Sequence, residues 1–151
     1  MSNEELKLSL TAHYPEMVFE ESGEFINIVV EPSNFRNYIE QLRSEAALKF
    51  DHLFCLTCVD WKTNFTMVYH LLSRTFKHQL VVKVKLTDVN NPEIETICDL
   101  WKGANFHERE VYDMFGVKFT NHPDLRRILL DEDWPGYPLR KNYVDENMIE
   151  I

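Results

Sequence analysis

Glycine is scarce in this chain, with four in 151 residues. Neither a Gly-x-Gly-x-x-Gly nor a Walker-type loop is present, so a phosphate cradle has little to be built from. A Gly-x-Ser-x-Gly elbow is missing as well, and with it the usual setting of a serine nucleophile. The sequence holds no run of about 20 apolar residues, which excludes a bilayer-spanning helix. Positive charge is thin: 16 Lys and Arg stand against 25 Asp and Glu, leaving a net charge of −9. Without a basic cluster, such a chain is repelled by nucleic acid, and its acidity serves mainly solubility.

Three cysteines cannot all pair within one chain, so reduced thiols are expected rather than a disulfide framework. Cys55 and Cys58 form a Cys-x-x-Cys, but inside a predicted strand, where an odd offset sends the two side chains to opposite faces. Cys98 alone does not complete a four-ligand zinc or iron–sulfur site with them, and structural cysteine is the better reading. The six histidines show no ligand spacing. His107-Glu108 starts like a zincin motif, but Val111 stands where the second histidine belongs. The start, Met1-Ser2-Asn3-Glu4-Glu5, is acidic and has no apolar core. It is unlike a secretory signal or an Arg-rich transit peptide, and the expected place is the cytosol or the cytosolic side of a membrane.

What is present is enough for one folded domain. A chain of this length buries roughly 70% of the surface its unfolded form exposes, and its hydrophobic fraction of 44% is ordinary for a globular protein. Leu6, Leu8, Leu10 and Ala12, ahead of Pro15, predict a short helix. Phe25 to Val30 reads as a strand entered through a Ser22-Gly23 turn. Pro32-Ser33 starts a helix whose apolar face is Phe35, Tyr38, Ile39, Leu42 and Ala46. Strands follow over Leu53 to Val59, Phe65 to Leu72 and the alternating Leu80, Val82, Val84, Leu86, with links short enough for antiparallel hairpins. Asn91-Pro92 predicts a helix with Ile94, Ile97, Cys98 and Trp101 inward and Gly103 at its end. Asn105 predicts the cap of a second helix, with Glu108 completing a capping box and Gly116 as terminator. From Asn121 to Tyr143, Pro123, Pro135, Pro138 and Gly136 break any regular element. The predicted architecture is α+β, with a small mixed or antiparallel sheet packed by helices. It divides into a core domain over 1–120 and an extended, irregular, partner-binding tail over 121–151.

The densest chemistry is Glu108-Arg109-Glu110-Val111-Tyr112-Asp113-Met114-Phe115-Gly116, followed by His122-Pro123-Asp124-Leu125-Arg126-Arg127-Ile128-Leu129. Arg109 and Asp113 are four apart and can pair on a helix. Three readings compete: an acid/base pair in a cleft, a solvated helix face, and charges partly buried at a protein interface, where they fix register. The apolar neighbours Val111, Tyr112, Met114 and Phe115 favour the interface. So does the tail, where Trp134, Tyr137 and Tyr143 lie among Arg126, Arg127, Arg140 and Lys141, residue types enriched at binding hot spots. The opposing reading folds the tail back on its own domain.

Glu-Arg-Glu, two residues, Asp, two apolar residues, six residues, His, three residues, Arg, one residue and two aliphatics is a long composite pattern. It resembles the signature of the thirty-kilodalton subunit family of respiratory complex I, whose members are also called the C subunits. Here it is carried by Glu108, Arg109, Glu110, Asp113, Met114, Phe115, His122, Arg126, Ile128 and Leu129. Val68-Tyr69-His70-Leu71-Leu72-Ser73, Gly103-Ala104-Asn105 and Pro138-Leu139-Arg140-Lys141 are similar to that family too. The chain departs from the family at Trp101-Lys102, often Trp-Pro, and at His107, usually aromatic.

The resemblance implies a non-redox structural and assembly subunit in the peripheral arm of a proton-pumping NADH:quinone oxidoreductase, a translocase that couples NADH oxidation to quinone reduction. Subunits D, B and I are the implied partners. Flavin, iron–sulfur clusters and quinone are expected on partner subunits elsewhere in the assembly, with no catalytic, cofactor-binding or metal-ligating residue on this chain. Membrane association is expected only through the complex, at the cytoplasmic face of the inner membrane. The implied interface and signature residues are Glu108, Arg109, Glu110, Tyr112, Asp113, Phe115, Gly116, His122, Pro123, Asp124, Arg126, Arg127, Trp134, Tyr137 and Arg140. The alternatives are a subunit of a membrane-bound hydrogenase or other-donor complex, and a stand-alone acid/base enzyme using Glu108, Glu110 and Asp113.

Overall fold

In the computed structural model, which describes residues 2–21 and 23–148, the main sheet is assembled from two pieces of chain that meet in its interior. The first piece begins with α1 (Asn3–His13). Its capping box joins Ser2 and Glu5 in both directions, at 3.2 and 2.8 Å. Leu6 and Leu10 are buried, whereas Leu8 faces solvent. β1 (Val18–Glu20) and β2 (Ile26–Val30) then pair antiparallel. Ser22 of the expected turn lies outside the described residues. α2 (Pro32–Ser44) starts with proline at its first position and buries Phe35, Ile39 and Leu42, a stripe at helical spacing. Ala46, expected on that stripe, falls beyond the helix and is exposed.

The second piece is an antiparallel meander of β3 (His52–Asp60), β4 (Phe65–Ser73) and β5 (His78–Leu86). β5 lies beside β2 in parallel, with Ile28 opposite Val82, giving the order β1-β2-β5-β4-β3. The sheet is therefore mixed and the fold is α+β. Met67, Tyr69 and Leu71 of β4 and Leu80, Val82 and Val84 of β5 are buried at every second position. The Phe35 and Tyr69 rings meet at 4.7 Å, joining α2 to the sheet. Cys58 is buried and Cys55 half-buried on alternate sides of β3, and all three cysteines are free thiols.

The segment after β5 departs from expectation. The helix predicted from Asn91 to Gly103 does not form. Asp88 Oδ1 accepts the amides of both Asn90 and Asn91 at 3.0 Å, which fixes a turn where a helix cap was expected. β6 (Glu93–Glu95) then pairs in parallel with β7 (Lys118–Thr120), Ile94 lying opposite Phe119. Only one turn remains of the helix, closed by Trp101 N–H on the Ile97 carbonyl at 3.1 Å. Ile94, Ile97 and Trp101 are still buried, so the helical spacing marked core positions without marking a helix.

α3 (Ala104–Phe115) follows. The expected capping box is absent: Gly103 is the cap residue, Asn105 lies within the first turn, and Glu108 points into the protein. Gly116 ends the helix as expected, in the left-handed region at φ 72°. From residue 121 onward the described residues contain neither helix nor strand.

Candidate functional site

α3 turns Glu108, Arg109, Val111, Asp113 and Phe115 inward and leaves Glu110 exposed, with Tyr112 and Met114 half-buried. The Arg109–Asp113 pair expected from their spacing is not made. Arg109 instead donates to the backbone carbonyls of Arg126 (3.2 Å) and Arg127 (3.1 Å). Asp113, with no exposed surface, takes Arg127 Nη1 on Oδ1 at 2.9 Å. Its Oδ2 accepts three successive amides, those of Ile128, Leu129 and Leu130, at 3.0, 2.7 and 3.0 Å. Burial pushes this carboxyl up, but the three amides and the guanidinium together outweigh it and hold Asp113 below the ordinary aspartate value.

Arg127 carries the attachment onward, donating through Nη2 to the carbonyls of Trp134 (3.0 Å) and Gly136 (2.9 Å). Tyr137 lies between two guanidinium groups, Arg127 at 5.1 Å and Arg140 at 5.0 Å from its ring centre. Arg140 also donates to the Phe115 carbonyl at 2.6 Å. Gly116 is fixed twice over. Its φ suits glycine, and a Cβ there would stand 2.5 Å from the Tyr137 ring. Lys141 N–H reaches Asp60 Oδ2 at 2.8 Å. The irregular segment is thus strapped to the end of α3 and to β3 by charge-assisted bonds.

In the middle of α3, Glu108 is equally buried and differently served. Oε1 accepts Ile97 N–H at 2.8 Å and Oε2 accepts the Thr96 hydroxyl at 2.5 Å. Burial dominates, and its carboxyl is pushed up to about 7. His122 Nε2 stands 3.6 Å from Oε2. That is too far for a hydrogen bond, and among the described residues this buried nitrogen has no other bond partner. Burial lowers the His122 value, the backbone of Asn105 acting against it. Ligand-type atoms of Cys98, Glu108 and His122 all lie within 4.8 Å of one another. Cys98 and Thr96 also line an open cavity of about 710 Å³, with Arg36, Asp99, Asn105 and Asn121 in its walls. Arg36 is tied to Asp99 by two bonds, at 2.7 and 2.6 Å.

The expected site residues therefore divide. Glu108, Arg109, Asp113, Phe115 and Gly116 are buried, and Tyr112, His122, Arg127, Tyr137 and Arg140 are half-buried links to the tail. Glu110, Pro123, Asp124, Arg126 and Trp134 are exposed, with Arg126 and Asp124 paired at 2.9 Å. Glu108, Glu110 and Asp113 do not share a cleft. Thr96 and Asp60 were missed because their partners, Glu108 and Lys141, are distant in sequence, and Cys98 was read only as an inward structural cysteine. The buried-side spacing of β3 was the one available signal for Asp60. The tail keeps large apolar side chains outside: Ile128, Leu129, Trp134, Leu139, Val144 and Met148 are all exposed.

Residues 28–147 match the family described as respiratory-chain NADH dehydrogenase, 30 Kd subunit. The NADH-quinone oxidoreductase C subunit of Roseiflexus sp. (strain RS-1) is 42% identical over 127 residues, covering 80% of this chain and 72% of the relative. That of Ruegeria pomeroyi is 39% identical over 129 residues, 83% of this chain and 64% of the relative. A protein of Phocaeicola vulgatus named as the C/D subunit of the same oxidoreductase is 44% identical over 110 residues, so that 72% of this chain spans only 21% of that protein. Among solved structures, a chain of the membrane-bound sulfane sulfur reductase (MBS), an archaeal respiratory membrane complex, superposes with a TM-score of 0.79. It is 25% identical and covers 93% of this chain and 85% of its own.

Fold and relatives together define a class, the subunits of multi-subunit respiratory complexes of the NADH-quinone oxidoreductase type. Within it, this chain belongs to the 30 Kd subunit family of respiratory-chain NADH dehydrogenase, as the signature around α3 implied. Among the described residues, no helix is long and apolar enough to cross a membrane.

Proposed function

We propose that this chain is a non-redox structural and assembly subunit in the peripheral arm of a proton-pumping NADH:quinone oxidoreductase. It holds partner subunits in register on the cytoplasmic face of the membrane, and flavin, iron–sulfur clusters and quinone belong to other subunits of the complex. The observation that carries this reading is the tail. Ile128, Leu129, Trp134, Leu139, Val144 and Met148 are exposed on a segment that Asp113, Arg127 and Arg140 hold in one shape. An apolar surface fixed in shape and left bare fits a protein partner, because docking then costs little further ordering. Subunits D, B and I are the partners we assign. A relative named for both C and D in one protein supports D as the immediate neighbour. The acid/base enzyme is disfavoured, since all four bonds that Asp113 accepts on its side chain are to the tail.

The test is capture of partner subunits by wild-type chain and by Leu129→Ala with Trp134→Ala. Loss of central anchors is expected to weaken capture by roughly 30-fold, about 2 kcal/mol, with thermal stability of the lone chain unchanged. Capture at wild-type strength would overturn the tail's role. A second reading keeps the same role in a complex fed by another donor, and the likeness to a chain of a sulfane sulfur reductase favours it. Co-purification with the partner chains, followed by a donor assay, separates the two.

A further inference from the structure

We propose that Cys98, Glu108 and His122 form a binding site for one zinc-type divalent cation, held by a thiolate, a carboxylate oxygen and an imidazole nitrogen, with a fourth position left for water or another donor. The inference is independent of the docking role above.

Three observations converge on it. The ligand-type atoms of these three residues lie within 4.8 Å of one another, although they come from a turn, a helix and the start of the tail. His122 is half-buried as a residue but its side chain is wholly buried, and among the described residues its Nε2, facing Glu108 Oε2 from 3.6 Å, has no hydrogen-bond partner. Buried polar atoms without a partner also occur at Tyr69, His78 and Trp101, but among the described residues the one on His122 alone stands in a cluster of metal-type ligands. Finally, Glu108 lacks a cation: among the described residues no lysine or arginine pairs with it, because Arg36 is held by Asp99 and Glu40, and Arg109 by the carbonyls of Arg126 and Arg127.

The donor set selects the metal. Magnesium and calcium require all-oxygen shells, whereas sulfur with imidazole and carboxylate suits zinc. Each Glu108 oxygen has accepted one bond, from Ile97 N–H or from the Thr96 hydroxyl, and keeps a lone pair. Those two bonds fix the direction of the carboxylate, as outer-shell partners do at metal sites. Binding through Nε2 places the ring proton on Nδ1, and the exposed Asp124 amide that Nδ1 accepts at 3.1 Å then turns to water. The protons of the Cys98 thiol and the Glu108 carboxyl leave to solvent as thiolate and carboxylate take the cation. Entry is through the cavity that Cys98 and Thr96 line. A closed-shell ion adds no redox centre. It would brace the turn at 96–98 and the root of the tail against α3.

Titration of the full chain with Co(II) in place of zinc tests this. We expect one equivalent to bind with a thiolate-to-cobalt charge-transfer band, displaced by Zn(II). Cys98→Ser should abolish the band, and His122→Gln should weaken binding by at least about 100-fold. Cys55→Ser should change neither. Circular dichroism shows whether each variant is folded, and Cys98 is half-buried, so its serine variant keeps the test open if His122→Gln unfolds. No band in the wild-type chain, or a band that persists in Cys98→Ser, would overturn the proposal.

Discussion

Two carboxylates five residues apart on α3, Glu108 and Asp113, are both fully buried, yet their environments push them in opposite directions. Asp113 meets four donors, one of them a guanidinium, and stays charged. Glu108 meets one amide and one hydroxyl, and its value climbs to about 7. Burial is common to both, so the donor count and the presence of a cation decide the outcome. Asp113 is built as a permanent anchor for the tail, and Glu108 as a group that can release or replace its proton.

Breaking the Asp113 side of this contrast should have the largest effect. Asp113→Ala leaves the Arg127 guanidinium without its anion and three amides without an acceptor, and is expected to cost about 3–5 kcal/mol. Denaturant unfolding measures this, and a loss under about 1 kcal/mol would mean that solvent takes over the bonds.

The Glu108 side is sharpened by pH. Its folded value of about 7 exceeds the ordinary 4.5, so between these the folded state holds a proton that the unfolded chain has released. Stability from this group is full below the lower value and falls as pH rises through the window, by about 3 kcal/mol in all. His122 opposes it: its value is lowered, so its contribution is present above 6.5 and is lost as pH falls through the folded value. Subtracting wild type from Glu108→Gln isolates the carboxyl. The difference should grow in favour of glutamine from pH 4.5 to about 7 and then level off; a flat difference would show Glu108 charged throughout.

A smaller effect is expected at the joint between the anchor and the tail. Gly116→Ala forces a left-handed residue to carry a Cβ against the Tyr137 ring. The expected cost is about 2 kcal/mol, together with faster proteolysis between residues 121 and 148. Unchanged proteolysis would show that the ring moves aside freely.

The sheet was legible because β4 and β5 are long enough to alternate and α2 has a clean stripe. β1, β6 and β7 have three residues each, too few for a period to register. The false helix over 91–103 shows the limit of spacing. Ile94, Ile97, Cys98 and Trp101 have helical intervals, but Asp88 and β7 had already claimed the backbone. The identity of the important residues around α3 could be read, whereas their partners could not. Arg109 passes over Asp113, four residues away, for carbonyls in the tail. Glu108 looked like a capping residue and is instead the floor of a cluster with Cys98 and His122, which no local motif announces.

The parallel pairing of β2 with β5 sets an order of events during synthesis. When β2 leaves the ribosome, only β1 is at hand, and its other edge stays bare until β3, β4 and β5 have followed. Two-stranded ribbons are marginal in water, so the N-terminal fragment cannot settle early. The nascent polypeptide must wait for residue 86 before its central seam closes, and it is the long-range contact, more than any local one, that sets the tempo of folding.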